Sequence, residues 1–397
     1  MILDNREMSR YRRNLMIRAT TLTFLICFLF SSHLKVRTSL QFEMGGLGSG
    51  LSSWWSGAPV LLSPENEMTP SKVEVGVDEN YYMKGGAVWR RGTVECSLPV
   101  GAPKDYMKLQ DLFSLEKEWR GNVSNILLAE TSCNPKPSYR AWCAVESLAQ
   151  QNPQAVVWYV MTSQVVDLRQ GVAGRLLEHY HNLRVVTVDL RQVFYNTPLM
   201  DLYTSTAWNH NTTWPAVSLS DMVRLALVWQ VGGLYSDNDV VCIASLTHLK
   251  NVIGIVREKR VNGAVFHFER HHPMLEAFMR QLSEVFSPNV WGVNGPDMVS
   301  QVLTTACGKD LEAGTQCRGL TLLSTRAFYP LPVNAWSNFF IPLRGVDVRK
   351  MFPNSYVIHL WNKLSHSTPI FKDSGMLYDE IAKVFCPITR EIAPNVY

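Results

Sequence analysis

The chain has 397 residues, of which 46% are hydrophobic and 18% charged. That balance fits a folded body with a sizeable core and excludes an intrinsically disordered chain. The formal charge of +4 sits in the N-terminal tail, where seven basic side chains up to Arg37 face two acidic ones; the remaining 31 basic and 32 acidic residues nearly cancel, so the body carries no footprint for nucleic acid.

In chain order, residues 1–14 read as a cytoplasmic tail and 15–34 as a transmembrane signal anchor. The apolar run from Ala19 to Leu34 is short against the roughly 20 residues of a span. Leu15 to Ile17 extend it if Arg18 snorkels to the headgroups. Such a short span suits the thinner membranes of the early secretory pathway. The basic flank puts the N-terminus in the cytoplasm and the body in the lumen. A cleaved signal peptide is the alternative, although no small-x-small site follows the run. Residues 35–120 read as a lumenal stem, rich in Gly and Ser from Met44 to Trp55. The globular, catalytic part is expected at 121–397.

The cysteines agree with an oxidising compartment. Outside the anchor lie Cys96, Cys133, Cys143, Cys242, Cys307, Cys317 and Cys386, with no C-x-x-C spacing. Disulfides are therefore expected in preference to zinc ligands. Cys307 with Cys317 brackets a short polar loop and is the first expected bridge; Cys133 with Cys143 is the second. An odd count leaves one thiol over. Asn122 and Asn211 head glycosylation sequons, as a lumenal body permits.

From there strands and helices alternate. Asn125–Glu130, Ala155–Met161 and Leu183–Leu190 carry the β-branched and aromatic runs of buried strands. Tyr139–Gln151 and the stretch from Gly171 to His181 read as helices. The alternation predicts a mostly parallel α/β sheet with ligands at the carboxyl ends of its strands.

The stretch from Ser218 to Val241 carries the chemistry. Ser218 and Asp221 form a capping-box pattern ahead of an apolar helix. Gly232 and Gly233 stop that helix, and Leu234 and Tyr235 re-enter the sheet. Asp221 and Arg224 share a helix face. They form either a cap with a structural ion pair, or a site in which Asp221 takes sugar hydroxyls and Arg224 a diphosphate. Asp237 and Asp239 come where the strand ends, two residues apart and so on one face. Converging hard carboxylates suit Mg²⁺ or Mn²⁺, which can bridge a diphosphate.

This segment resembles the S-D-x-x-R…G-G-x-Y-x-D-x-D signature of retaining glycosyltransferases. The resemblance is to the family of lactosylceramide 4-alpha-galactosyltransferase and alpha-1,4-N-acetylglucosaminyltransferase, from about Asn122 to Cys386. It includes the blocks at Glu130–Ser132, Cys143–Ser147, Val261–Phe266, Trp291–Pro296, Ala327–Pro330 and Val357–Lys363. It implies a GT-A-type nucleotide-sugar-binding domain with a mostly parallel central sheet behind a single N-terminal transmembrane helix, placed in the Golgi membrane as a single-pass type II protein. It implies a UDP-sugar donor, Mn²⁺ or Mg²⁺, and a glycolipid or glycoprotein-glycan acceptor. Asp237 and Asp239 would hold the metal, with His359 as an extra ligand. Asp221, Arg224, Tyr235, Asn262, Gly295, His359 and Trp361 would line the donor site. Ala327–Pro330 reads as core. Val293 stands where relatives often carry a polar residue, which bears on specificity. The implied reaction moves galactose or N-acetylgalactosamine, or another hexose or N-acetylhexosamine, to a terminal sugar of a glycosphingolipid in alpha-1,4 linkage. An N-acetylglucosaminyltransferase of glycoprotein glycans is the nearest alternative.

Two other classes compete. Asp237 to Val241 formally fits the D-x-D-x-[TV] nucleophile motif of haloacid-dehalogenase-type phosphatases, but Gly232–Ser236 stands where that fold wants an apolar strand. A catalytically silent Golgi binding protein is the other, and the intact carboxylate pair argues against it.

Overall fold

Short runs of β-branched and aromatic residues become strands here because each can be buried on both faces. The structure, a computed structural model, describes residues 87–90, 93–96, 103–121, 124–205, 207–209 and 212–397. The anchor expected at 15–34 and the sequon residues Asn122 and Asn211 lie outside them. Among the described residues no helix is long and apolar enough to cross a membrane.

The strands are β1 (Ala87–Arg90), β2 (Thr93–Cys96), β3 (Tyr106–Lys108), β4 (Gln110–Asp111), β5 (Ser124–Glu130), β6 (Ala155–Met161), β7 (Val165–Asp167) and β8 (Leu183–Thr187). They continue with β9 (Gly233–Ser236), β10 (Val240–Cys242), β11 (Val252–Arg257), β12 (Arg260–Phe268), β13 (Gln316–Cys317), β14 (Leu320–Leu323) and β15 (Val357–His359). Nine of them form one sheet in the order β13-β14-β11-β12-β9-β5-β6-β8-β4. The half from β9 to β4 is parallel. β12 runs antiparallel to both β9 and β11. The expected mostly parallel sheet is therefore mixed, because β11 and β12 form a hairpin, which needs no crossover helix.

Two cores fill the faces of this sheet. Alternation along β5 sends Ile126 and Leu128 into one and Leu127 and Ala129 into the other. The first is covered by the helices Tyr139–Gln151 and Leu377–Phe385. The second is covered by Pro215–Val231, Pro273–Val285 and Met298–Cys307.

The expected strand at 183–190 ends at Thr187; Asp189 instead caps a short helix, accepting from the Arg191 amide at 2.9 Å. The folded body also begins upstream of the expected boundary at 121. β4 pairs with β8 at the sheet edge, β3 pairs with β7, and Cys96 is bonded to Cys133. These upstream strands are too short to carry a periodicity.

Cys307–Cys317 forms as expected. Cys133–Cys143 does not: Cys143 lies within the Tyr139–Gln151 helix and joins Cys386, while Cys242 is the buried free thiol. Sequence proximity misled because that helix turns Cys143 toward the C-terminal helices, away from the loop that holds Cys133. The Cys143–Cys386 bridge spans 243 positions; loop-closure entropy assigns a bridge of that span about 5.5 kcal/mol.

Candidate functional site

The helix Pro215–Val231 begins with Pro at its first turn, after Trp214. Ser218 lies inside it, its amide donating to the Trp214 carbonyl at 2.9 Å. The expected capping box at Ser218 and Asp221 is thus replaced by a Pro start three residues earlier. This frees Asp221 for Arg224, at 3.0 Å.

At the other end Gly232 takes a left-handed φ of +73° and its amide donates to the Val228 carbonyl, closing the helix. Gly233 has φ +120°, and a Cβ there would lie 2.4 Å from the Asn125 carbonyl oxygen. Only glycine lets β9 sit this close to β5. That approach places the carboxyl end of β9 at the point where the sheet changes from parallel to antiparallel neighbours, the usual mouth for a ligand in an open α/β sheet.

Asp237 and Asp239 emerge there, held by the backbone on every side. The Asp237 amide donates to the Ala264 carbonyl and the Asn238 side-chain amide to the Ala129 carbonyl, each at 2.8 Å. Arg224 reaches across from the helix to Asp237 at 3.2 Å. It also donates to the carbonyls of Gly263 at 3.0 Å and Ser220 at 3.2 Å. Its guanidinium lies over the ring of Tyr235, 5.3 Å from the centroid.

The third member arrives from far along the chain. β15 pairs with β10 so that His359 lies opposite Val240. Its Nε2 sits 3.5 Å from Asp239 Oδ1. One ligand atom each from Asp237, Asp239 and His359 fall within 4.8 Å of one another. The backbone after β15 then folds over Asp239. The Leu360 amide donates to its carbonyl at 2.8 Å and the Asn362 amide to Oδ2 at 2.7 Å.

Charge in this cleft is unbalanced. Arg224 meets Asp221 and Asp237, while Asp239 lies beyond them against His359; the three carboxylate side chains are 16%, 22% and 15% exposed. Ionised, the three carboxylates exceed the one guanidinium by two negative charges. Burial pushes the Asp221 carboxyl up to about 6, with Arg224 pulling down and Asp237 pushing further up. Burial also raises Asp237, Arg224 opposing and Asp239 adding to the shift. Burial works against the Arg224 charge, but the Asp237 and Asp221 carboxylates overcome it and hold its pKa above the usual value. Two hard carboxylates with an excess of two negative charges fit a divalent, oxygen-seeking cation.

His359 fits that cation only conditionally. Its Nδ1 accepts the Trp361 amide at 3.1 Å, a network that assigns the proton of the neutral ring to Nε2. Nε2 becomes a ligand once the ring changes tautomer and the amide turns away; the carboxylates need no such change.

The other expected site residues occupy different shells. Tyr235 is 1% exposed, stacked on Phe266 beneath Arg224. Asn262 presents its carbonyl to the Tyr329 hydroxyl at 3.2 Å, and it is the next residue, Gly263, that meets Arg224. Gly295 lies in a π-helical turn over Val293–Asp297, where a Cβ would be 3.6 Å from Asp221 Oδ1. Trp361 is 9% exposed and packs its ring 4.3 Å from His359, its indole N–H donating to the Leu331 carbonyl. Ala327, Phe328 and Tyr329 are core, as expected, with Tyr329 5.7 Å from the His359 ring. Sequence reasoning missed Ser220, Gly263 and Asn362, which act through backbone atoms or a small hydroxyl and leave no residue-type signal. It also missed the group of Trp214, Trp291 and Lys363, whose members lie far apart in sequence.

The strand-end carboxylates Asp237 and Asp239, with a basic partner from the preceding helix, fall inside a region that matches a family model. Residues 138–258 match the glycosyltransferase sugar-binding region containing the DXD motif, and 267–393 match the alpha 1,4-glycosyltransferase conserved region. The lactosylceramide 4-alpha-galactosyltransferases of Pan troglodytes and Homo sapiens are each 32% identical over 271 residues, 67% of this chain and 76% of theirs. Alpha-1,4-N-acetylglucosaminyltransferase of Homo sapiens is 26% identical over 273 residues, 66% of this chain and 79% of that protein. The galactosyltransferase LgtC, solved in complex with donor and acceptor sugar analogs, aligns at 17% identity and TM-score 0.33 over 66% of this chain and 96% of its own. The chain belongs to the alpha-1,4-glycosyltransferase family that includes lactosylceramide 4-alpha-galactosyltransferase, and its domain is an α/β fold built on a mixed nine-stranded sheet.

Proposed function

We propose that this chain is a metal-dependent UDP-sugar hexosyltransferase. It moves galactose or N-acetylgalactosamine, with retention, to the terminal sugar of a glycosphingolipid in alpha-1,4 linkage. The carrying observation is the convergence of Asp237, Asp239 and His359 beside Arg224, in a family whose galactosyltransferase members are named for lactosylceramide. Asp237 and Asp239 would hold Mn²⁺ or Mg²⁺, which would supply positive charge toward a departing diphosphate. Arg224 orients Asp237 and Asp221 while keeping its own charge at the floor of the cleft. The Asn362 amide fixes one oxygen of Asp239 and leaves the other toward His359. Asp221, semi-buried beside the Gly295 turn, is placed to accept from donor hydroxyls. The proposed location is the lumenal side of the Golgi membrane, supported by three disulfides in the body and the apolar N-terminal run.

The test uses the full-length chain with Mn²⁺, a panel of UDP-sugars and a soluble lactoside. Transfer is expected from one donor and is lost with EDTA. Asp239→Ala should lower it by more than about 100-fold at a stability cost of only about 1–2 kcal/mol, from the Asn362 amide left without its acceptor. Full transfer by Asp239→Ala in EDTA would overturn the proposal.

A further inference from the structure

Beside the carboxylates stands a second, aromatic group. Trp214 precedes the Pro215–Val231 helix, Trp291 lies in the loop before the Gly295 turn, and Lys363 follows Asn362. The two indoles meet edge to face with centroids 5.3 Å apart. The Lys363 ammonium lies 4.5 Å from the Trp214 ring centroid and 4.2 Å from that of Trp291. Among the described residues it has no carboxylate partner; its charge rests on the two ring faces, a cation–π arrangement.

The group is pre-organised. Asn294 closes the Trp291 loop by exchanging two hydrogen bonds with the Ser287 backbone, at 2.8 and 2.7 Å. The Thr212 hydroxyl donates to the Pro288 carbonyl at 2.7 Å, tying the Trp214 segment to the same loop. Despite this bracing, Trp291 remains 44% exposed. A large aromatic held rigid and left open at the rim of a polar cleft is a surface for a flat, partly apolar ligand.

Its placement says which one. On one side the loop leads within four residues to Gly295, against Asp221. On the other, Lys363 adjoins the amide that binds Asp239. Chain neighbours of the platform residues, Gly295 and Asn362, thus reach the cleft at Asp221 and at Asp239. A pyranose offers a C–H face to the indole and hydroxyls to the free donors of the ammonium.

We infer that Trp291, braced by Trp214 and Lys363, is the platform on which the terminal pyranose of the acceptor glycan stacks. Trp291 makes the contact; Trp214 and Lys363 are positioning residues. The inference rests on the proposed transferase reading, because the incoming sugar must lie beside the donor.

Equilibrium binding separates the two. The full-length chain with Mn²⁺ is titrated first with UDP and then, saturated with UDP, with a soluble lactoside. Trp291→Ala should weaken lactoside binding at least tenfold, Trp291→Phe about threefold, with UDP affinity within twofold of wild type throughout. Lys363→Gln should weaken lactoside binding, and Lys363→Arg should restore it. Lactoside binding equal in wild type and Trp291→Ala, or absent from the wild type, would overturn the platform. Loss of Trp291→Ala binding to glycolipid vesicles but not to the soluble lactoside would overturn it too, in favour of a membrane contact. Failure of the wild type to bind UDP would instead sink the transferase reading.

Discussion

Arg224→Gln tests the charge balance of the cleft. The change removes the guanidinium that meets Asp221 and Asp237 and keeps a polar side chain near the Gly263 carbonyl. Leaving a buried charge without its partner costs about 3–5 kcal/mol. Arg224 is 13% exposed, so the lower end, about 3 kcal/mol, is expected. For a domain of this size that is a drop of roughly 6 °C in Tm, read by thermal unfolding at pH 7.5 in EDTA. Mn²⁺ should raise Tm more in the variant than in wild type, because the repulsion between the guanidinium and the cation is gone. The deficit should also shrink as pH falls toward 5.5. Asp221 has a folded pKa raised to about 6, so its burial costs stability above that pH and the cost fades as it takes a proton. A variant within 1 °C of wild type in EDTA, or one whose Mn²⁺ shift is no larger, would refute this reasoning.

Other outcomes follow from the same geometry. Mn²⁺ binding, followed by titration calorimetry, should weaken more than about 100-fold in Asp239→Asn and only about tenfold in His359→Gln, since the ring must first change tautomer; equal losses would make His359 a full ligand from the outset. Gly233→Ala should cost more than about 3 kcal/mol, from a strained φ and overlap with Asn125, and should abolish Mn²⁺ binding by pushing β9 off β5; normal unfolding and binding would show that the strand can shift freely. His267 is 6% exposed, and burial pushes its imidazole down to about 4, with Lys250 adding. Below pH 6.5 the unfolded chain takes a proton that the folded one refuses until about 4, so stability should fall by up to about 3 kcal/mol across that window. His267→Gln should flatten that slope, and an unchanged slope in urea unfolding at pH 7 and 5 would count against it.

The sequence by itself determined what is local. The strands around Ala155–Met161 and the helix Tyr139–Gln151 are runs whose residue types admit few other conformations. The Gly-Gly stop and the carboxylate pair were legible for the same reason: a left-handed turn, a close approach and a strand end each demand particular residues within a few positions. The start of the Pro215–Val231 helix was misplaced because two competing start signals, Ser218 and Pro215, lie within one turn, and the proline fixes φ outright.

Only the tertiary structure decided what reaches across the chain. The resemblance named His359 beside the aspartates, but how it gets there, through the pairing of β10 with β15 about 120 residues apart, is encoded in the residue type of neither strand. The same holds for Cys143 with Cys386, and for Lys363 between Trp214 and Trp291. The physical reason is common to all three. A turn or a cap is fixed by the dihedral preferences of neighbouring residues, whereas a long-range contact is fixed by which faces the two cores must bury. That choice belongs to the whole chain at once.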